Sequence, residues 1–155
     1  KATAASGYFV ATGANSIAQR FPVTDEDINS TAGTTTSNAF TDLTGTSVGP
    51  VVSGINVGTK ALVTITAQMH SSVANSFAIA SLDITGPSPF LANDIHCITF
   101  QQTGGTTGQN VTCTMSRLFT FATPGSHTFT MKYRVSGTGS PIATFLRRKL
   151  VVIPF

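Results

Sequence analysis

The side chains able to do chemistry are few and scattered. Histidine occurs at His70, His96 and His127, cysteine at Cys97 and Cys113, and carboxylate at Asp25, Glu26, Asp27, Asp42, Asp83 and Asp94. Metal sites draw on short spacings such as H-x-x-x-H or paired cysteines, and none is present. His96 and Cys97 are adjacent, but neighbouring residues of a strand point to opposite faces, so the pair cannot grip one ion. Ser126 precedes His127 in GSHTF with no acidic residue near it in sequence, and there is no G-x-S-x-G elbow to raise a nucleophile. Asp83 and Asp94 are the best-placed pair for acid–base cleavage of a glycosidic bond, yet no spacing singles them out. GTTGQN and SGTGSP lack the lysine and following helix of a phosphate loop and read as turns. The expectation is a protein that is not an enzyme and takes no metal or cofactor.

The other concentrated chemistry is cationic. Arg147, Arg148 and Lys149 interrupt an apolar C-terminal run, and three cations cannot all be buried unpaired. That strand must meet solvent or an acidic partner. The net charge is only +3, but every acidic residue lies at or before Asp94, while Arg117, Lys132, Arg134 and the Arg147–Lys149 triplet fall in the last third. One reading is a basic face for nucleic acid. The other is pairing, within or between chains, with Asp25, Glu26, Asp27, Asp42 and Asp83. The cations are dispersed over separate segments without interleaved aromatic residues for base stacking, which favours pairing and no nucleic-acid partner. No apolar run reaches the length of a membrane span, so membrane insertion is not expected.

These residues must be positioned by strands. Charged residues make up 10% of the 155 residues, helix formers are scarce, and β-branched residues and turn formers abound, which argues for one all-β domain. The alternation is cleanest in HTFTMKYRV, where Phe129, Met131, Tyr133 and Val135 share one face and Thr128, Thr130, Lys132 and Arg134 the other. A Gly/Ser/Pro turn follows, and the last apolar run reads as the other arm of a terminal pair. KALVTITAQMH alternates as well, with Ala61, Val63, Ile65, Ala67 and Met69 inward. NSFAIASLDITG is its expected partner, with a bulge near Ser81 where the alternation changes face. SVGPVVSGINVG suits an edge strand or a strand start because of its proline. HCITFQQ and NVTCTMSRLFTF add two more, for about eight strands in an antiparallel sandwich of jelly-roll type. Cys97 and Cys113 lie on two of these strands, either bonded or, as the favoured reading, as two free thiols. Residues 1–33 lack a sustained period and read as an arm before a domain at 34–155, with Tyr8, Phe9, Ile17 and Phe21 as anchors. Loops 70–76, 86–95 and 101–110 are contact tips by position alone.

Two stretches resemble a known family. TTTSNAFTDLTGTSVGPVVSGINVGTKALVTITAQM has a Thr-rich lead, an F-T-D-L segment, a Gly/Pro turn and an A-L-V strand. The C-terminal TPGSHTFTMKYRVSGTGSPIATFLRRKLVVIPF is similar to the same family's closing segment. Together they resemble, from Thr34 to Phe155, β-domains of virion proteins of phages infecting actinobacteria. The resemblance implies a small jelly roll that forms homotrimers on the virion exterior, in a minor tail protein or tail fibre that contacts host-surface glycans. A capsid decoration protein or head fibre, bound to the major capsid protein, is the alternative, and a glycan-cleaving depolymerase domain a weaker third. The family offers no catalytic residues. It also implies that Arg147, Arg148 and Lys149 reach acidic residues or main-chain carbonyls of a neighbouring chain, with Asp42 or Asp83 as candidate partners.

Overall fold

The structure, a computed structural model, describes residues 8–13, 16–20, 23–27, 32–44, 49–104 and 109–155, with the backbone alone for 8–13, 16–20 and 25–27. Its strands are β1 (Tyr8–Gly13), β2 (Ser16–Arg20), β3 (Val23–Asp27), β4 (Gly33–Thr35), β5 (Val51–Val57), β6 (Lys60–Ser71), β7 (Ser76–Thr85), β8 (Ile98–Gln102), β9 (Val111–Thr120), β10 (Gly125–Ser136) and β11 (Ala143–Pro154). A single 3-10 turn, Asp94–His96, precedes β8.

Two antiparallel sheets face each other. One has the order β3-β11-β6-β9 with β4 also on β11, and the other has the order β5-β10-β7-β8. From β4 onward each connection passes from one sheet to the other, except that β7 and β8 are neighbours. That alternation, with first and last strands side by side, is the doubled Greek key of a jelly roll. The all-β sandwich expected from the sequence is the observed fold.

The inner faces follow the period of two. Ala61, Val63, Ile65, Ala67 and Met69 of β6 are fully buried, as are Phe129 and Met131 of β10, with Tyr133 and Val135 nearly so. Small residues at Ala61, Ala67, Ala78, Ala80 and Ala143 make room for the rings of Phe129, Tyr133 and Phe145, the large-against-small filling that close packing requires. At one end, Gly58 donates its amide to the carbonyl of Phe155 at 2.9 Å. A Cβ there would stand 2.3 Å from that oxygen, so only glycine permits the approach.

Three expectations change. The terminal strands are not a hairpin: β10 and β11 lie in opposite sheets, and they meet through the core, where the rings of Tyr133 and Phe145 are 4.8 Å apart. β6 and β7 are separated in the same way. The period of two marks an inward face without saying which sheet carries it. Finally, β7 has no bulge, because its register with β10 runs unbroken from Phe77↔Ser136 to Thr85↔Thr128. The alternation is lost near Ser81 because both faces are covered there: Ala80 and Leu82 point into the core, and Ser81 lies under the loop before β8.

Of the stretch read as an arm, β1 and β2 form a separate two-stranded sheet, and β3 adds to β11 from Val23↔Val152 to Asp27↔Arg148. Among the expected anchors, Phe21 and the side chains of Tyr8, Phe9 and Ile17 lie outside the described residues, as do the side chains of Asp25, Glu26 and Asp27.

Candidate functional site

The basic triplet sits on a β-bulge. β11 pairs with β6 as Leu146↔Gln68 and then as Lys149↔Thr66. Arg147 and Arg148 therefore stand together opposite Ala67, two residues against one. Arg147 takes the left-handed backbone conformation, φ +45°, which non-glycine residues seldom adopt. The consequence is a change of parity along the strand. Before the bulge Ala143 and Phe145 face the core; after it Leu150 and Val152 do.

Arg148 thereby takes an inward position and is 1% exposed. Its Nη1 donates to the Gly49 carbonyl at 2.9 Å, and the Tyr133 hydroxyl donates to the same oxygen at 2.8 Å. The guanidinium carbon lies 5.7 Å from the centre of the Tyr133 ring. A guanidinium keeps its charge in any protein interior, so this carbonyl holds one charge-assisted bond and one neutral one. The effect is to hold the segment before β5 against the core. This corrects the expectation for Arg148, since a buried side chain bonded to its own chain does not reach a neighbour. Arg147 is exposed and Lys149 half-buried, both away from the core.

Of the acidic residues expected to meet the triplet, Glu26 and Asp27 stand opposite Lys149 and Arg148 in the β3–β11 register, whereas Asp42 and Asp83 are held elsewhere. Asp42 accepts from Lys132 Nζ at 2.8 Å. Asp83 accepts from the backbone amide of Ala92 at 2.7 Å. Asp94 accepts from Arg134 Nε and Nη2 at 3.0 and 2.8 Å, and the Arg134 guanidinium sits 5.3 Å from the centre of the Phe40 ring. Asp83 thus fastens backbone, and Asp94 an ion pair.

The remaining groups are also individually engaged. His70 Nδ1 is 2.8 Å from Asn110 Oδ1, and the His96 ring stacks on Phe90 at 4.8 Å. His127 is 1% exposed; its Nδ1 lies 2.9 Å from the Gly125 carbonyl, and its Nε2 accepts from the Ser88 amide at 3.3 Å. Among the described residues no three of His, Cys, Asp and Glu gather as a metal site, and no helix is long and apolar enough to cross a membrane. Cys97 and Cys113 are free thiols. Burial raises the Cys113 thiol above its ordinary range, which lowers its nucleophilicity at neutral pH by reducing the thiolate fraction. A hollow of about 310 Å³ on the outer side of β7, β8 and β10 is lined by Phe77, Ile79, Cys97, Thr99, Asp94 and Arg134. It holds one thiol, Cys97, whose Sγ donates to the backbone carbonyl of Asp94 at 3.2 Å, and no histidine lines it.

The two outer faces differ most. On the four-stranded sheet, Ser81, Asp83, Lys132 and Arg134 bind loops of their own chain. On the five-stranded sheet the register builds cross-strand rows. Leu62 stands between Leu118 and Ile153, Thr64 between Ser116 and Val151, Thr66 between Thr114 and Lys149, and Gln68 between Thr112 and Leu146. Hydroxyls pair along these rows, Thr64 with Ser116 at 2.8 Å and Thr66 with Thr114 at 3.0 Å. The sequence reading missed this surface. Its one signal was KLVVIPF, apolar at both parities, as in a strand covered on both faces.

No family model matches this chain, and no curated protein sequence matches it. Among solved structures it is similar to VP2 of infectious bursal disease virus. The match to the VP2 subviral particle has a TM-score of 0.55 at 12% identity, over 94% of this chain and 37% of that one. A structure of the Gt strain of that virus gives 0.50 at 14% identity, with the same 94% and 37%. The chain thus spans well under half the length of these proteins. What it shares with them is the fold, an antiparallel β-sandwich of jelly-roll type found in a viral protein.

Proposed function

We propose that this chain is a non-enzymatic structural component of a virus particle, an exterior jelly roll that acts as a homotrimer. The observation that carries this reading is the jelly-roll strand order, with a likeness to a VP2 subviral particle that extends over 94% of the chain. Two features agree with it. Asp42, Asp83, Asp94, Lys132, Arg134, His70, His127 and Arg148 are each tied to a partner within the chain, and the family resemblance from Thr34 to Phe155 points to bacteriophage virions.

Within the virion the leading assignment is a tail fibre or minor tail protein that contacts host-surface glycans. The second is a capsid decoration protein or head fibre bound to the major capsid protein, supported by the likeness to VP2 of a subviral particle. In either case the part of residues 1–33 that precedes β3 acts as an arm toward a neighbouring subunit, with Tyr8, Phe9, Ile17 and Phe21 as anchors. Immunogold labelling of purified particles tests both. Gold at the tail tip supports the first, gold over the capsid the second, and particles without label overturn the virion reading. A glycan array with the purified chain then tests the host contact.

A further inference from the structure

Resting on the reading of a particle component built from several copies, we propose that the outer face of the five-stranded sheet is where copies of this chain pack against each other. The first argument is composition by row. Leu118, Leu62 and Ile153 form one apolar row across three strands, and Val151 continues it on the next row. Leu118 is 50% exposed. A sheet face meant for water alternates apolar-in with polar-out, and β11 breaks that rule by carrying Val151 and Ile153 outward beside inward Leu150 and Val152.

The second argument concerns the hydroxyls. Burying a hydroxyl without a partner costs about 1–3 kcal/mol. Here Thr64 and Ser116, and Thr66 and Thr114, already bond each other, so the face loses water without orphaning them.

The third is charge, and it selects the occupant. None of the outward residues from Leu62 to Gln68 on β6, or from Thr112 to Leu118 on β9, is charged; the cations of this face stand at its margins, Lys60 at the start of β6 and Arg147 and Lys149 on β11. An acidic or basic partner finds no complement over most of it. A second copy brings the same rows, and a two-fold contact between copies is the arrangement in which one patch meets itself. The three strands offer a strip of about 33 Å by about 14 Å. That is over half of the roughly 800 Å² per partner in a stable interface, and β3 extends the same sheet beyond β11.

Size-exclusion chromatography with light scattering on the full chain tests this, comparing wild type with Leu62→Glu, Val151→Glu and, as a control on the other outer face, Thr99→Glu. The expected result is an oligomer for wild type and for Thr99→Glu, and a monomer with unchanged circular dichroism for the other two, an association weakened at least about tenfold. If either glutamate variant loses its β-sheet spectrum, Leu118→Ser, at a half-exposed position, decides by a rise of about threefold or more in dissociation constant. Oligomers that survive these substitutions overturn the proposal. So does a wild type that stays monomeric at about 100 μM. Particle labelling is read separately, so a monomer defeats the packing face while leaving the virion reading to its own test.

Discussion

On the four-stranded sheet the outward side chains reach back to their own chain. Ser81 donates to the His96 carbonyl and accepts from the Asn93 amide, Asp83 holds the Ala92 amide, Lys132 holds Asp42, and Arg134 holds Asp94. On the five-stranded sheet the outward hydroxyls hold only each other across strands. That sheet ties down its loop from the inside, through Arg148 on the Gly49 carbonyl. Where polar side chains fasten loops, the face is occupied by its own chain. Where they form ladders, the face stays flat and is left for a partner.

The largest expected effect comes from the inside tie. Arg148→Ala removes a fully buried side chain and leaves Gly49 with Tyr133 alone, which should lower unfolding free energy by about 3–4 kcal/mol in a denaturant titration. Arg148→Met keeps most of the volume and should recover a good part of that loss. An Arg148→Ala protein as stable as wild type would mean that Gly49 is held by something else.

Ser81→Ala probes the outside ties and should cost about 2 kcal/mol, because the buried groups it served lose their partner. Thr64→Val makes the matching test on the flat face and should shift stability by no more than about 0.5 kcal/mol, as its hydroxyl secures no loop. Equal losses at these two positions would erase the distinction between the faces.

Much of the framework was legible in advance. The inward residues of β6 and β10 could be read one by one, since the backbone pleat imposes the period of two locally. The edge position of β5 followed from Pro50, which has no amide to donate. Arg148 was not legible. In FLRRKLVVI both parities are apolar on either side of the cations, so the sequence does not mark which arginine takes the extra place in the bulge. The outer rows were hidden for a related reason. Leu62, Leu118 and Ile153 are far apart in sequence and become one row only through the register of three strands.

The sequence by itself determined that the chain is all-β, which faces of its best strands are apolar, and that its reactive groups are too dispersed for a recognisable motif. These are local properties of residue type and period. The tertiary structure decided that the last two strands face each other across the core, that one arginine of the triplet turns inward, and that the outward residues of β6 and β9 from Leu62 to Gln68 and from Thr112 to Leu118 meet as uncharged rows. Those outcomes depend on sheet partnership and on one bulge residue, and a period of two is compatible with either sheet and either parity.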